Sequence, residues 1–178
     1  MTKIAPPDRG RERQASARAN ISVPFPRPAH EARGPLPPAA PFPAELVESL
    51  VATAARAPSL HNTQPWRFRP GPRGLELIAD PSRILPGIDP AGREMLVSCG
   101  AALFGLRLAV RQAGYRPLVS LLPDPARPTL LACVQLGAAA PMTRGERRLL
   151  AAVPHRHTHR GAFDPGPVAV SLLARLQR

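Results

Sequence analysis

The stretch Ala57-Pro58-Ser59-Leu60-His61-Asn62-Thr63-Gln64-Pro65-Trp66 places Ser, His, Asn, Thr and Gln between two prolines. Small hydroxyls and amides on a loop can cradle a planar polar ligand through side-chain and backbone hydrogen bonds. Neither Asn62 nor Gln64 titrates, so the set suits recognition rather than acid–base catalysis. The alternative is local: Pro and Asn make a turn, and Trp66 enters the core. A second cluster is His155-Arg156-His157-Thr158-His159-Arg160. Guanidinium groups and a hydroxyl are the donors a phosphate takes. On a strand, the alternating histidines would share one face and could hold a metal. The flanking arginines repel a cation, however, and no Cys or carboxylate sits beside them. A solvated basic loop is the remaining reading.

These clusters need elements to position them. From Ala44, the residues Leu46, Val47, Leu50, Val51 and Ala54 recur at helical spacing, with Glu45 and Glu48 near the start. Pro43 suits the opening of that helix, and Pro58 marks a stop beyond it. The first cluster therefore follows a helix. Gln64 to Arg69 then reads as a strand, Gly71-Pro72-Arg73-Gly74 as a turn, and Leu75 to Ala79 as the second strand of a hairpin. A Pro/Gly loop leads to the longest predicted helix, Ala91 to Ala113, whose apolar stripe is broad. Gly100 and Gly105 lie inside it, where each costs about 1 kcal/mol relative to Ala. Close packing of another helix or a ligand against that face would explain them. Arg116 to Leu122 and Leu130 to Leu136 are two more strands. Thr143 to Val153 is a short basic helix, with Thr143 and Glu146 spaced as a capping box. The second cluster follows Pro154, and a last helical pattern runs from about Val168. Helix, two strands, helix, two strands, helix, helix is an α+β layout.

Composition bounds the function classes. The chain has 178 residues, 44% of them hydrophobic, which is enough for one domain with a core. Net charge is +12, almost entirely from arginine, since Lys3 is the only lysine. Charge of this sign favours anionic partners, but so uniform an arginine bias is weak evidence for nucleic acid. No apolar run reaches the roughly 18 residues that span a membrane. The N-terminus lacks the apolar segment of a secretory signal, and its ten prolines break the amphipathic helix a transit peptide needs. The cytoplasm is the default compartment. Cys99 and Cys133 form no CxxC pair, and two buried free thiols are the expectation. Met1 to Pro43 is rich in Pro, Arg and Ala, with few large apolar residues. Such a block cannot offset the entropy of ordering, so it reads as a disordered tail, or as the product of a misplaced start.

Pro58-Ser59-x-x-Asn62-x-Gln64-Pro65-Trp66 resembles the flavin-side signature of the nitroreductase family. Ala57 through Phe68, Leu75 through Arg83 and Gly92 through Pro117 are similar to its Acg-like branch, and Ser98-Cys99-Gly100-Ala101-Ala102-Leu103-Phe104 is a good part of the match. Arg156-His157-Thr158-x-Arg160, followed by Phe163, resembles the element that holds the FMN phosphate. The resemblance runs from about Glu45 to Phe163 and leaves out the Pro-rich tail. It implies a nitroreductase-like sheet flanked by helices. It also implies FMN as cofactor, with Pro58, Ser59, Asn62 and Gln64 on the flavin side and Arg156, His157, Thr158 and Arg160 on the phosphate. Electrons would pass from NAD(P)H through FMN to a nitroaromatic, quinone or similar acceptor. The cofactor carries that chemistry, so no catalytic residue of the protein is required. In the typical dimer of this family the two elements reach one flavin from different subunits, and the Acg-like branch resembles that dimer fused into one chain. The resemblance thus divides the chain into a tail at 1–43, a first half at 44–153 and the start of a second half at 154–178. On this reading the fold is incomplete. Homodimerisation, flavin sequestration with little turnover, and a non-functional remnant all stay open as alternatives, as does binding of an anionic polymer by the tail.

Overall fold

A computed structural model describes residues 42–177. Residues 1–41 of the expected tail lie outside the described residues. Helices α1 (Ala44–Ala54), α2 (Arg93–Gln112), α3 (Arg144–Ala152) and α4 (Val170–Leu176) accompany strands β1 (Trp66–Gly71), β2 (Gly74–Ala79), β3 (Tyr115–Leu121) and β4 (Leu130–Ala139). The strands form one antiparallel sheet in the order β1-β2-β4-β3, and the architecture is α+β as the layout predicts.

The predicted elements are all present, with ends moved for local reasons. The strand expected from Gln64 begins at Trp66, because Gln64 has φ 47° and Pro65 offers no N–H to a ladder. The long helix begins at Arg93 rather than Ala91, because Gly92 takes φ 67° as its N-cap. The strand expected to reach Leu122 stops at Leu121, since Leu122 has φ 45°. The last helix opens at Val170 rather than Val168.

Helices α1 and α2 cover one face of the sheet. Alternation on β1 sends Trp66 and Phe68 inward and Arg67 and Arg69 outward. Leu75, Leu77 and Ala79 of β2, with Ala132 and Val134 of β4, complete the sheet's inner face. Leu50, Leu106 and Val110 close over it with exposures of 1% or less. The two mid-helix glycines differ. A Cβ on Gly105 would lie 3.1 Å from Ala54 Cα, so this glycine lets α1 and α2 approach closely. Gly100 has no neighbour within 4 Å of such a Cβ, so no helix packs against it.

One ion pair ties the ends of four elements together. Arg111, in the last turn of α2, meets Glu146 of α3 through Nε–Oε1 at 2.8 Å and Nη2–Oε2 at 3.2 Å. The same guanidinium donates to the carbonyls of Tyr115 and Ala140 at 3.3 and 3.2 Å, and also to that of Pro141. Glu146 completes the predicted capping box: its Oε2 accepts from Thr143 N at 2.7 Å, while Thr143 Oγ1 accepts from Glu146 N at 3.2 Å. The Arg111 hydrogen bonds, followed by the one from Thr143 N, lower the Glu146 pKa from its ordinary 4.5 to about 2. A carboxylate lowered in the folded state stabilises the fold above its unfolded value, and that contribution is lost as pH falls through the folded one. Thermal stability should therefore decline between pH 4.5 and about 2. Glu76 is also lowered, by Arg127 first and then by Arg69 against the opposing effect of burial, so it adds to the same slope. Glu146→Gln should lower Tm at pH 7 by roughly 2–6 °C and make the acid limb shallower. A Tm series from pH 7 to 2 on both proteins checks this, and an unchanged slope would remove Glu146 from the account.

Candidate functional site: a strained loop at the edge of the sheet

The first cluster lies where α1 hands the chain to the edge strand. Ser59 is extended, with φ −143° and ψ 154°, and a short 3-10 turn follows at Leu60–Asn62. His61, Asn62 and Gln64 then take positive φ, at 48°, 58° and 47°. A non-glycine residue in the left-handed region costs on the order of 1–3 kcal/mol when the surroundings impose it. Three within four positions mark a segment held by its surroundings. Asn and His enter this region more readily than most residues, whereas Gln has less reason to.

Several bonds do the holding. Ser59 Oγ accepts from Gln64 N at 2.9 Å and closes the loop on itself. Arg83 donates from Nη1 to Thr63 O at 2.8 Å. Pro65 O accepts the Asp80 N–H at 3.0 Å. Asp80, 6% exposed, pairs with Arg67 at 2.7 Å and lies 3.5 Å from Arg83 Nε. Burial raises the Asp80 pKa, but hydrogen bonds from Ser82 and Arg67 outweigh it and the net direction is down. His61, Asn62 and Gln64 are exposed, and the Gln64 amide lies 3.4 Å from Asn62 Oδ1. Trp66 is 8% exposed and belongs to the core, as the local reading of the cluster has it.

Pro58, Ser59, Asn62 and Gln64 are thus brought together on one loop. Arg156, His157, Thr158 and Arg160 are not joined to them by any hydrogen bond among the described residues. They lie on an exposed, irregular stretch after a 3-10 turn at Val153–His155. His157 Nδ1 sits 3.2 Å from His155 O, and the His159 ring packs on Phe163 at 5.0 Å. The segment is not a strand, so the facing-histidine arrangement does not arise, and among the described residues no group of three His, Cys, Asp or Glu could hold a metal. One bond ties this segment's base to the loop's: Arg56 donates from Nη2 to Pro154 O at 3.5 Å.

A cleft of about 420 Å³ lies elsewhere, between α2, β3 and α3, bordered by Phe104, Arg107, Arg116 and Leu149. None of the eight candidate cofactor residues lines it. An apolar notch of about 190 Å³ beside Gly100 and Leu103 is equally separate from them. Both expected free thiols are found: Cys99 and Cys133 are buried and unpaired. Burial pushes Cys99 up to about 12 and raises Cys133 as well, so neither is a nucleophile. Sequence reasoning singled out no role for Ser98, Cys99 or Arg83, all of which touch the loop. Ser98 gave one signal, as a hydroxyl at a core position of an apolar stripe.

Comparison with known proteins follows the same line. A candidate NAD(P)H nitroreductase of Mycobacterium tuberculosis (strain H37Rv) is 41% identical over 125 residues, covering 70% of this chain and 36% of that protein. The Acg protein of the same strain, also named as an NAD(P)H nitroreductase, is 38% identical over 123 residues, covering 69% of this chain and 37% of its own length. This chain is a relative of the Acg-type nitroreductases. It spans little more than a third of the length of those relatives. PigM of Serratia, also named for NAD(P)H nitroreductase activity, is 34% identical over 73 residues, 40% of this chain and 20% of PigM. A nitroreductase family protein from Streptococcus pneumoniae TIGR4 superposes with a TM-score of 0.44 at 17% identity, over 65% of this chain and 90% of that one. No family model matches the chain. Among the described residues, no helix is long and apolar enough to cross a membrane.

Proposed function

We propose that this chain is the loop-bearing part of an FMN-dependent oxidoreductase of nitroreductase type. Electrons would pass from NAD(P)H through FMN to a nitroaromatic, quinone or similar small acceptor. Residues 44–153 correspond on this reading to a first nitroreductase-like half, and residues 154–178 to the opening of a second. The observation that carries the proposal is the strained loop at Ser59–Gln64, held in three positive-φ conformations at the Pro-Ser-x-x-Asn-x-Gln-Pro-Trp motif. Strain of this kind gathers at ligand sites, where surrounding structure fixes a shape the chain would not choose.

The donor set fits the cofactor's chemistry. The Asn62 and Gln64 amides are exposed and non-titrating, and suit the edge of a flavin ring, which both donates and accepts hydrogen bonds. Arg156 and Arg160 have no partner for their guanidiniums among the described residues, and with Thr158 they suit a phosphate. Ser59 would serve twice, because its oxygen accepts from Gln64 N to brace the loop while its hydroxyl proton stays available to donate to the flavin. Bound FMN would supply the electron transfer, while these residues bind and orient it. Free thiols at Cys99 and Cys133 accord with a reducing, cytoplasmic setting. A homodimer would bring the loop of one copy toward the arginines of the other.

The test is an absorbance spectrum after adding FMN and desalting. Retained flavin bands at about one FMN per chain or per dimer are expected, with bleaching on NADPH. Bands that resist bleaching would leave a flavin-sequestering protein. A folded chain that retains no flavin would overturn the proposal.

A further inference from the structure

Adjacent side chains of α2 grip the two ends of the strained loop. Ser98 Oγ accepts from Leu60 N at 3.4 Å, at the loop's start. The same hydroxyl donates to Glu94 O at 2.8 Å, one turn back along the helix. Its proton is therefore committed to its own helix, and the oxygen lone pairs are left for Leu60. Cys99 Sγ donates to Pro65 O at 3.3 Å, at the loop's end. The segment between these two contacts contains the loop's three positive-φ residues, His61, Asn62 and Gln64.

The chemistry of both groups suits this use. Ser98 is 5% exposed and Cys99 is wholly buried, so neither meets a ligand from solvent. The Cys99 thiol stays protonated at neutral pH, because burial raises its pKa, and a protonated thiol is a donor. A hydroxyl at a buried position of an apolar helix stripe carries a desolvation cost unless it is bonded, and here both of its bonds are made. Arg83 holds the middle of the loop through Thr63 O.

We infer that Ser98 and Cys99 are positioning residues, a clamp on α2 that holds residues 60–65 in the conformation presenting the Asn62 and Gln64 amides to the flavin ring. The inference rests on the flavin reading above. It assigns the helix, and not only the loop, to the site. It also accounts for a Ser-Cys pair in a core stripe where two alanines would fill most of the space.

The test titrates FMN and riboflavin into the full chain, read by quenching of flavin fluorescence. Amide hydrogen exchange at Leu60–Gln64 is measured in parallel without flavin. Ser98→Ala keeps a strong helix former at the position, so the fold should survive with Tm close to that of the parent. It should weaken both flavins by the same factor, about five- to tenfold, and speed exchange at Leu60. Cys99→Ala should act in the same direction at the other end. Cys99→Ser restores a donor and should return affinity to within about threefold of the parent. If the parent binds flavin and Ser98→Ala leaves both affinity and exchange unchanged, the clamp is overturned. A loss for FMN but not for riboflavin overturns it too, because the effect would then lie at the phosphate. If the parent binds neither flavin, the flavin reading itself fails and the clamp's role falls with it.

Discussion

Gly74→Ala should cost about 3–5 kcal/mol of stability, combining left-handed backbone strain with overpacking. Gly74 opens β2 at the end of the hairpin turn and has φ +114°. An L side chain is strained there whatever the space. There is also no space, because a Cβ would sit 2.3 Å from Val134 O. That oxygen belongs to the neighbouring strand, and the next residue pair, Leu75 and Val134, is in register on the β2–β4 ladder. The strand cannot recede without breaking the pairing at the centre of the sheet. The turn is also fixed from β4, since Arg73 O accepts from Cys133 Sγ at 2.6 Å and from Gln135 Nε2 at 3.0 Å. A loss of this size is a large fraction of the 5–15 kcal/mol by which domains are usually stable. Urea unfolding followed by circular dichroism measures it. Gly100→Ala is the internal control: it lies mid-helix with open space around its Cβ, and should be neutral or stabilising by up to about 1 kcal/mol. Equal midpoints for the two variants would mean that β2 and β4 do not approach as described.

Replacing Arg156 and Arg160 together by Ala should weaken FMN by about 100-fold while leaving riboflavin unchanged. A charge-assisted hydrogen bond is worth about 1.5–3 kcal/mol, and exposure reduces that, so roughly tenfold per arginine is the reasonable scale. Riboflavin lacks the phosphate, so it separates ring recognition from charge recognition. Both arginines are exposed and have no side-chain partner among the described residues. Their removal should therefore move Tm little, since surface changes away from special contacts stay within about 0.5 kcal/mol. Flavin titrations at fixed salt decide the matter. Equal losses for both flavins would place these arginines outside the phosphate role. No loss for FMN would leave the basic segment as a solvated loop.

Much of the fold was legible because it is local. The apolar spacing from Leu46 to Ala54 and along α2 specifies helices without reference to the rest of the chain. So does the Thr143–Glu146 capping box, whose two bonds form within one turn. The hairpin turn was visible because two glycines flank Pro72 and Arg73. The loop's residue types were legible too, and with them the likeness to nitroreductases that the Acg-type relatives share.

What tertiary structure decided depends on residues far apart in sequence. The strand order places β4 between β2 and β3, and no local pattern states which edges will pair. Gly100 and Gly105 look alike in sequence, yet only Gly105 faces α1, because the helix's rotation against its neighbour is set by the whole core. Ser59 is a ligand candidate by motif and a loop brace by geometry. Ser98 and Cys99 meet the loop across 38 and 34 positions of chain. Periodicity and residue type fix a side chain's face and chemistry. Its partner is fixed only when elements dock, since a hydrogen bond needs two groups within about 3 Å and sequence spacing does not supply that distance.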